Sequence, residues 1–318
     1  MKKVLSVGTV VYDVPISPVG LDFMDHRQVA IRSVRSATGG GGLSGAVSLS
    51  QLGHDVSLVG IVGNDAPGDA VLQRLTSMGV NTCYIIRRED LYTAYSVVLV
   101  DPTGERHIVH YPGGNIHFTG DLVTDDMFEE ADHFHRTNLG GMPLIDGEEA
   151  VRLMRRAKAH GCTTSMDVIK FSGDGAPIDR LIPILPYCDI FMPSDYEAEQ
   201  YTGLSDPLEM KAFFRPYGLK IFGVKLGAKG IFVTDFHDDV FLPPMLRGNP
   251  VDTTGAGDSA IAGFVAGYLD GWSLHDCAAL AMANAAQIVG ALGANMGAKP
   301  KSEVLKYAET FGYHLPRE

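Results

Sequence analysis

Val251-Asp252-Thr253-Thr254-Gly255-Ala256-Gly257-Asp258 joins a glycine-rich turn to a carboxylate, and a run of small residues at 259–268 follows at once. A turn rich in Gly cannot cover its own N–H groups with side chains. When such a turn opens a helix, those N–H groups and the positive end of the helix dipole favour an anion such as a phosphate oxygen. Asp258 stands one residue beyond the glycines, within reach of the same ligand. A backbone anion cradle beside a base suits phosphoryl transfer, where a protein mostly positions groups and neutralises charge. A tight loop ending in a helix N-cap is the other reading, since Asp is a preferred cap.

Outward from this loop, strand and helix patterns alternate. Short apolar runs at 3–7, 56–60, 133–138, 163–168, 190–192, 221–226 and 231–234 read as buried strands. Helical patterns fall at 39–52, 66–78, 147–160, 195–202, 255–270 and 273–292, the last opening on Ser273-Leu274-His275-Asp276, close to a capping box. The alternation implies a three-layer α/β/α fold with a mostly parallel central sheet. Two stretches interrupt it. Residues 12–36 carry Pro15 and Pro18 and then a half-exposed alternation, and 92–112 fold back around Asp101-Pro102-Thr103-Gly104. Paired in space, these stretches make a small antiparallel β lid over the C-terminal strand ends, where open α/β sheets bind ligands. The expected division is a core of 1–11, 37–91 and 113–318, with a lid of 12–36 and 92–112.

Bulk properties narrow the function classes. The 318 residues suffice for one large α/β domain with an insertion or for two modest domains. A net charge of −12 argues against nucleic-acid binding, which wants a basic face, and makes any anionic substrate depend on a local positive device. Cys83, Cys162, Cys188 and Cys277 are scattered without CxxC spacing and read as reduced thiols of a cytoplasmic protein. The apolar start breaks at Gly8 and Asp13, too soon for a signal peptide. No stretch approaches the ~20 apolar residues of a membrane span. His107 with His110, and His133 with His135, have metal-like spacing but no carboxylate or Cys set nearby, so a metal is not expected there. Gly263 and Gly267 point to close helix packing rather than to a membrane helix pair.

Three further stretches belong with the opening one: Gly39-Gly40-Gly41-Gly42, Gly60-Ile61-Val62-Gly63-Asn64-Asp65-Ala66-Pro67-Gly68 and Lys225-Leu226-Gly227-Ala228-Lys229-Gly230. In this order and spacing the four resemble the ribokinase-like (PfkB) carbohydrate kinase family over nearly the whole chain. The resemblance implies a ribokinase-like fold, ATP with Mg2+, and phosphorylation of a hydroxyl on a sugar or sugar derivative. It implies Asp258 as catalytic base and the amides of Gly255, Ala256 and Gly257 as the anion hole. An ordinary carboxylate pKa near ~4 would serve such a base. The resemblance also sets Asp13 and the backbone of Gly40 and Gly41 against the sugar, and adds Asn115 where the chain returns from the lid. Ser44 stands where the family usually has Asn.

Ser194-Asp195-Tyr196-Glu197 falls where the family carries an Asn-x-x-Glu motif tied to Mg2+ and phosphate. Glu197 matches and would act through a water, since Mg2+ keeps its waters; Ser194 departs from the pattern. By resemblance Lys225, Gly227 and Gly230 face the nucleotide, Asn284 lies near the adenine, and Lys170, beyond the matching Asp167, serves as a phosphate cation. Some relatives hold a monovalent cation such as K+ near Asp252 and the Gly293-Ala294 turn, which this sequence permits. A homodimer through the lid fits exposed strand edges. Two alternatives stay open. One is a nucleoside kinase of the same family with Tyr12, Phe23 and Tyr111 around the base. The other is a catalytically weak sensor, suggested by Ser44 and Ser194. An NAD-linked oxidoreductase is disfavoured because 7–10 lacks the G-x-G-x-x-G fingerprint.

Overall fold

Strands form where buried apolar residues run together, and the burial pattern fixes which strands are central. β1 (Lys3–Val7) is buried from its second residue on. After β2 (Val11–Ser17), β3 (Ser33–Val34), β4 (Ala37–Gly39) and helix α1 (Gly41–Gln51) comes β5 (Asp55–Gly63), buried over most of its length. Next are α2 (Ala66–Ser77), β6 (Ile85–Arg88), β7 (Tyr95–Val100), β8 (Arg106–Tyr111), α3 (Asp125–Glu129), β9 (His133–Leu139), α4 (Glu148–Ala159) and β10 (Thr163–Val168). The chain continues through α5 (Pro177–Leu181), β11 (Ile190–Phe191), α6 (Asp195–Thr202), α7 (Pro207–Phe214), β12 (Ile221–Lys225), β13 (Ile231–Thr234) and β14 (Asp239–Leu242). It ends in α8 (Ala256–Leu269), α9 (Leu274–Val289) and α10 (Lys301–Glu309). The structure is a computed structural model, and it describes residues 1–20, 22–102, 106–169 and 177–317.

The large sheet has nine strands in the order β14-β13-β12-β11-β10-β9-β1-β5-β6. It is parallel from β12 to β6, and β13 and β14 return antiparallel at one edge. A hydrophobic cluster lies on each face. One gathers Leu49, Val56, Ile261, Phe264 and Leu280, chiefly from α1, α8 and α9; the other gathers Phe128, Phe134, Leu153, Phe191 and Phe214. Each such side chain, taken fully from water, contributes roughly 1.5–3 kcal/mol. A Cβ on Gly263 would lie 2.9 Å from Ala281 Cα, and one on Gly267 would lie 3.1 Å from Cys277 Sγ, so these glycines let α8 rest on α9. These layers are the three-layer α/β/α architecture of the ribokinase-like fold.

β9 is a polar strand buried on both sides. His133 bonds Thr163 Oγ1 through Nδ1 and Ser165 Oγ through Nε2, both at 2.7 Å, and His135 Nδ1 meets the same Ser165 oxygen at 2.6 Å. Burial lowers His133 well below its ordinary value and His135 to about 3, so both rings are neutral. Arg136, fully buried, donates to Asp146 Oδ1 at 2.8 Å.

The second sheet runs β3-β2-β7-β8, with β4 also on β2. It is mixed, because β2 and β7 run parallel while the other pairs are antiparallel. The chain visits this sheet twice, through β2–β4 after β1 and through β7–β8 after β6, so its first exit from the large sheet and its last return are separate crossings. Asn115 pins the two crossings together: its Oδ1 accepts from Val10 N and its Nδ2 donates to Val10 O, both at 3.1 Å. Among the described residues, no helix is long and apolar enough to cross a membrane.

Candidate active site

A cavity of about 740 Å3 opens at the C-terminal ends of β9, β10 and β12, against the start of α8 and one face of α9. Its polar end is lined by Asn138, Asp167, Glu197, Lys225 and Asp258, and its other end by Met245, Met282, Ala286 and Val289.

The loop before α8 is shaped by Gly255, whose φ of 76° is left-handed and whose Cβ, if it had one, would lie 1.9 Å from the Ala294 carbonyl oxygen. No side chain caps this helix. The Ala256 amide donates to Thr253 O at 3.3 Å. Among the described residues none accepts from the amides of Gly255, Gly257 or Asp258, so two of the three amides expected to form the anion hole are unspent. Asp258 lies in the first turn, with its Oδ1 only 2.8 Å from where a Cβ on Gly41 would sit. Burial pushes this carboxyl up to about 6, with Lys225 opposing and Glu197 adding to the rise. Desolvation thus lifts it above the ordinary value near ~4 that would suffice for such a base.

Lys225 ends β12 and is itself buried. Its Nζ meets Asp167 Oδ2 at 2.6 Å, below Gly257. Burial works against both charges of this pair. For Lys225 the surrounding Asp167, Glu197 and Asp258 outweigh it, and the ammonium pKa rises; for Asp167 burial dominates Lys225's pull and the carboxyl rises too. Ser194 caps α6 in a full capping box: its Oγ accepts from Glu197 N at 3.3 Å, while Glu197 Oε2 accepts from Ser194 N at 2.8 Å. Both residues also line the cavity. Gly227 and Gly230, with φ of 55° and 99°, form the turn after β12 on the same wall. Among the described residues no group of three or more His, Cys, Asp or Glu is arranged to hold a metal by itself.

On the second-sheet side, Asp13 is buried on β2 and Gly39 passes so close that a Cβ would lie 2.0 Å from Asp13 Oδ2. Burial pushes Asp13 up to about 6, with the Ser96 hydroxyl opposing and Asp252 adding. Ser96 is its register partner on β7 and bonds His110 Nδ1 on β8 at 3.0 Å. Gly40 caps α1 with φ 85°, and the Gly41 amide donates to Asn138 Oδ1 at 2.6 Å and to Thr9 Oγ1 at 3.2 Å.

Several residues singled out by sequence lie elsewhere. Asn284 is buried with its Nδ2 donating to Ser259 O at 2.8 Å, and it does not line the cavity. The α9 residues that do are Met282, Ala285, Ala286 and Val289, one stripe at helical spacing that excludes position 284. Ser44, within α1, is fully buried, its hydroxyl without a partner among the described residues. Asn115 spends its amide on Val10, as above. Lys170 lies outside the described residues.

Two residues not anticipated join the site. Asn138 ends β9 with a left-handed φ of 52°, and its Oδ1 accepts from both Gly41 N and Thr9 Oγ1 (2.7 Å) at the cavity wall. An Asn before Gly140-Gly141 at a strand end was the available signal, since Asn tolerates this conformation. Arg106, at the start of β8, reaches the loop before α8. Its Nη1 donates to Asp252 Oδ1 at 2.9 Å and to Thr254 Oγ1, and its Nη2 donates to Thr253 Oγ1 at 2.6 Å. Asp252 also accepts from Thr254 N (2.9 Å), Thr254 Oγ1 (2.6 Å) and Gly293 N (2.8 Å). Arg106 thus sets a guanidinium of the protein against Asp252.

The family described as pfkB family carbohydrate kinase matches residues 1–301. An uncharacterized sugar kinase of Archaeoglobus fulgidus is 29% identical over 79% of this chain and 98% of its own. An ATP-dependent ribose-1-phosphate kinase of Halopiger xanaduensis is 30% identical over 85% of this chain and 86% of its own. In fold, a protein of E. coli described as ribokinase II, in complex with ATP and Mg2+, superposes with a TM-score of 0.84 at 22% identity, covering 98% of this chain and all of that one. Matched almost from end to end, and carrying the glycine loop and Asp258 at the floor of its cleft, the chain belongs to the pfkB family of carbohydrate kinases, phosphotransferases that work from ATP on sugar-type substrates.

Proposed function

We propose that Asp258 is the base that activates a hydroxyl of a sugar or sugar derivative for attack on the γ-phosphorus of ATP. The observation that carries this reading is the Asp258 carboxylate standing beside the unspent Gly255 and Gly257 amides in the cavity floor. The hydroxyl proton passes to Asp258 as the oxygen–phosphorus bond forms and the bond to the ADP oxygen breaks. The amides of Gly255 and Gly257 and the dipole of α8 take up the charge of the transferred group. Lys225, steadied by Asp167, supplies a fixed positive charge beneath them. The nucleotide lies along the apolar end by Met245, Met282 and Ala286, with its phosphates over Gly227 and Gly230. Glu197 would hold an Mg2+ ion brought by those phosphates through one of its waters, and the ion would supply neutralising charge to them.

The acceptor sits between Asp13, the backbone of Gly40 and Gly41, and Asp258. Two carboxylates facing it favour an uncharged polyhydroxyl over a phosphorylated one. The second sheet, residues 12–36 and 92–112, acts as a lid on the core of 1–11, 37–91 and 113–318 and excludes water. The exposed Val34 and Val109, on one side of that sheet by its register, offer a face for a second copy of the chain. Cytoplasmic ATP is the phosphoryl source. The test is ADP formation from ATP and Mg2+ with a panel of neutral pentoses and hexoses, sugar phosphates and nucleosides. Turnover strongest with a neutral sugar is expected; no acceptor-dependent ADP from any member would sink the reading.

A further inference from the structure

We infer that Arg106 is the resident counter-cation of the anion-hole loop, carried to it by the second sheet, so that the chain has no need of a monovalent metal ion there. This inference rests on the reading of Gly255–Gly257 as the phosphoryl cradle. β8 is rooted where Tyr95 pairs Tyr111, beside the point where the chain re-enters the core. Arg106 lies at its opposite end, in register with Val100, so the hairpin spans the cleft and its far end meets 252–254. The guanidinium there engages three residues in a row: Asp252, Thr253 and Thr254.

Those three residues lead directly into Gly255, and Asp252 is where two loops join. It accepts from Thr254 on one side and from Gly293 on the other, and Ala294 is the residue whose carbonyl crowds Gly255. The Asp252 side chain is only 6% exposed, so its charge needs a partner in place. Arg106 is that partner. A second cation beside it would face guanidinium repulsion and would have to compete for Asp252 Oδ1, which already accepts from three donors. The arrangement has a mechanical consequence. Arg106 belongs to the second sheet and its acceptors to the core, so any opening of the sheet removes the counter-charge from the loop. The cradle is then complete only while the sheet covers the acceptor, which couples transfer to water exclusion. Arg106 is a positioning residue that acts through the loop.

The test compares the wild-type chain with R106A and R106K in KCl and in tetramethylammonium chloride at equal ionic strength. Thermal melting without substrate and turnover on the acceptor found in the panel are both recorded. Wild type and R106K are expected to melt and turn over alike in the two salts. R106A is expected to lose on the order of 10²-fold in kcat, more than in KM, and to gain a saturable K+-specific rise in both melting temperature and kcat. A K+-specific, saturable effect on wild type, or an R106A chain indifferent to K+ in both readouts, overturns the inference. Should R106A fail to fold, R106Q carries the same decision, since it keeps part of the stem and a polar end but not the charge. The melting arm decides even where no acceptor is turned over, a result that would count against the kinase reading alone.

Discussion

Helices α1 and α8 both open on glycine beside Asp258, yet the surrounding chain spends their first amides differently. Four other helix starts are closed by side chains, Asp65 for α2, Ser194 for α6, Asp206 for α7 and Ser273 for α9, while α3, α4 and α10 begin without one. Neither α1 nor α8 has such a cap. At α1 the fold supplies acceptors from outside the helix, so Gly41 N is held by Asn138 and Thr9, and Leu43 N by Thr9 O at 3.3 Å. At α8, among the described residues, the Ala256 amide finds one and those of Gly255, Gly257 and Asp258 do not, and these residues line the cavity. A glycine-rich helix start is therefore not in itself an anion site; what decides is whether the surrounding chain has spent the donors. By this comparison α8 is the phosphoryl end of the cleft, and α1 is a rigid wall that the acceptor leans on.

The sharpest way to break the comparison is to neutralise the base beside α8. D258N is expected to lower kcat by about 10²–10⁴-fold, read in steady-state turnover, with far less change in KM for ATP. It carries an opposite effect on stability. A carboxyl whose folded pKa is raised to about 6 favours the fold when protonated, and that contribution is lost as pH rises through 6. Above pH 6 the wild type therefore bears a penalty that Asn does not. D258N should melt higher than wild type at pH 8, and the gap should close toward pH 5; equal or lower melting at pH 8 would show that the carboxylate is not penalised. The same value sets an acid limb on kcat/KM. Because Asp13 is also raised to about 6, two deprotonations are needed, and log kcat/KM should fall below pH 6 with a slope steeper than one. In D13N the limb that remains should have a slope of one.

A smaller effect separates two glycines of the same loop. A Cβ on Gly255 meets the Ala294 carbonyl oxygen at 1.9 Å, and the φ of 76° resists any L side chain. G255A must shift the loop, and a loss of roughly 10²–10³-fold in kcat is expected, as for removal of an anion-hole donor. At Gly257 the nearest atom is the far end of the Lys225 side chain at 3.3 Å, and the backbone is helical. G257A should cost less than about tenfold while stabilising α8 by about 0.5–1 kcal/mol. Equal losses in the two variants would mean that the space beside the glycines, rather than the position of the loop and its amides, is what matters.

The division between what sequence conveyed and what it hid follows the range of the interactions. The loop before α8 was legible because its glycines, its carboxylate and the helix behind them are contiguous, and strand and helix periodicity set the three layers around it. Asp13, Lys225 and Glu197 are named through the family resemblance, which needs only their spacing from the glycine motifs. Arg106 and Asn138 are not. Arg106 is one basic residue in an ordinary hairpin, and its partner Asp252 lies 146 positions away. Asn138 matters through a left-handed backbone and an acceptor for Gly41, 97 positions earlier, and neither leaves a local pattern. Asn284 shows the converse. Its helix was legible, but a rotation of about 100° per residue carried its side chain onto Ser259 and left Met282, Ala285 and Ala286 on the cavity.

The α1 side of the comparison can be tested by removing the acceptor that spends its amide. N138G keeps the backbone in its left-handed form without a Cβ and deletes Oδ1, so Gly41 N and the Thr9 hydroxyl lose their common partner. Two lost hydrogen bonds cost about 0.5–1.5 kcal/mol each, and relief of an L residue at φ 52° returns roughly 1–2 kcal/mol, so melting should hardly move. N138A loses the same bonds and keeps the backbone strain, and should melt lower than N138G. Both variants leave the α8 amides, Lys225 and Asp258 in place. Both are therefore expected to raise KM for the acceptor by about tenfold while kcat stays within about threefold, since a wall that only positions the acceptor acts mainly through binding. A fall in kcat comparable to that of G255A, with KM unchanged, would make Asn138 part of the chemistry and would erase the distinction between the two helix starts.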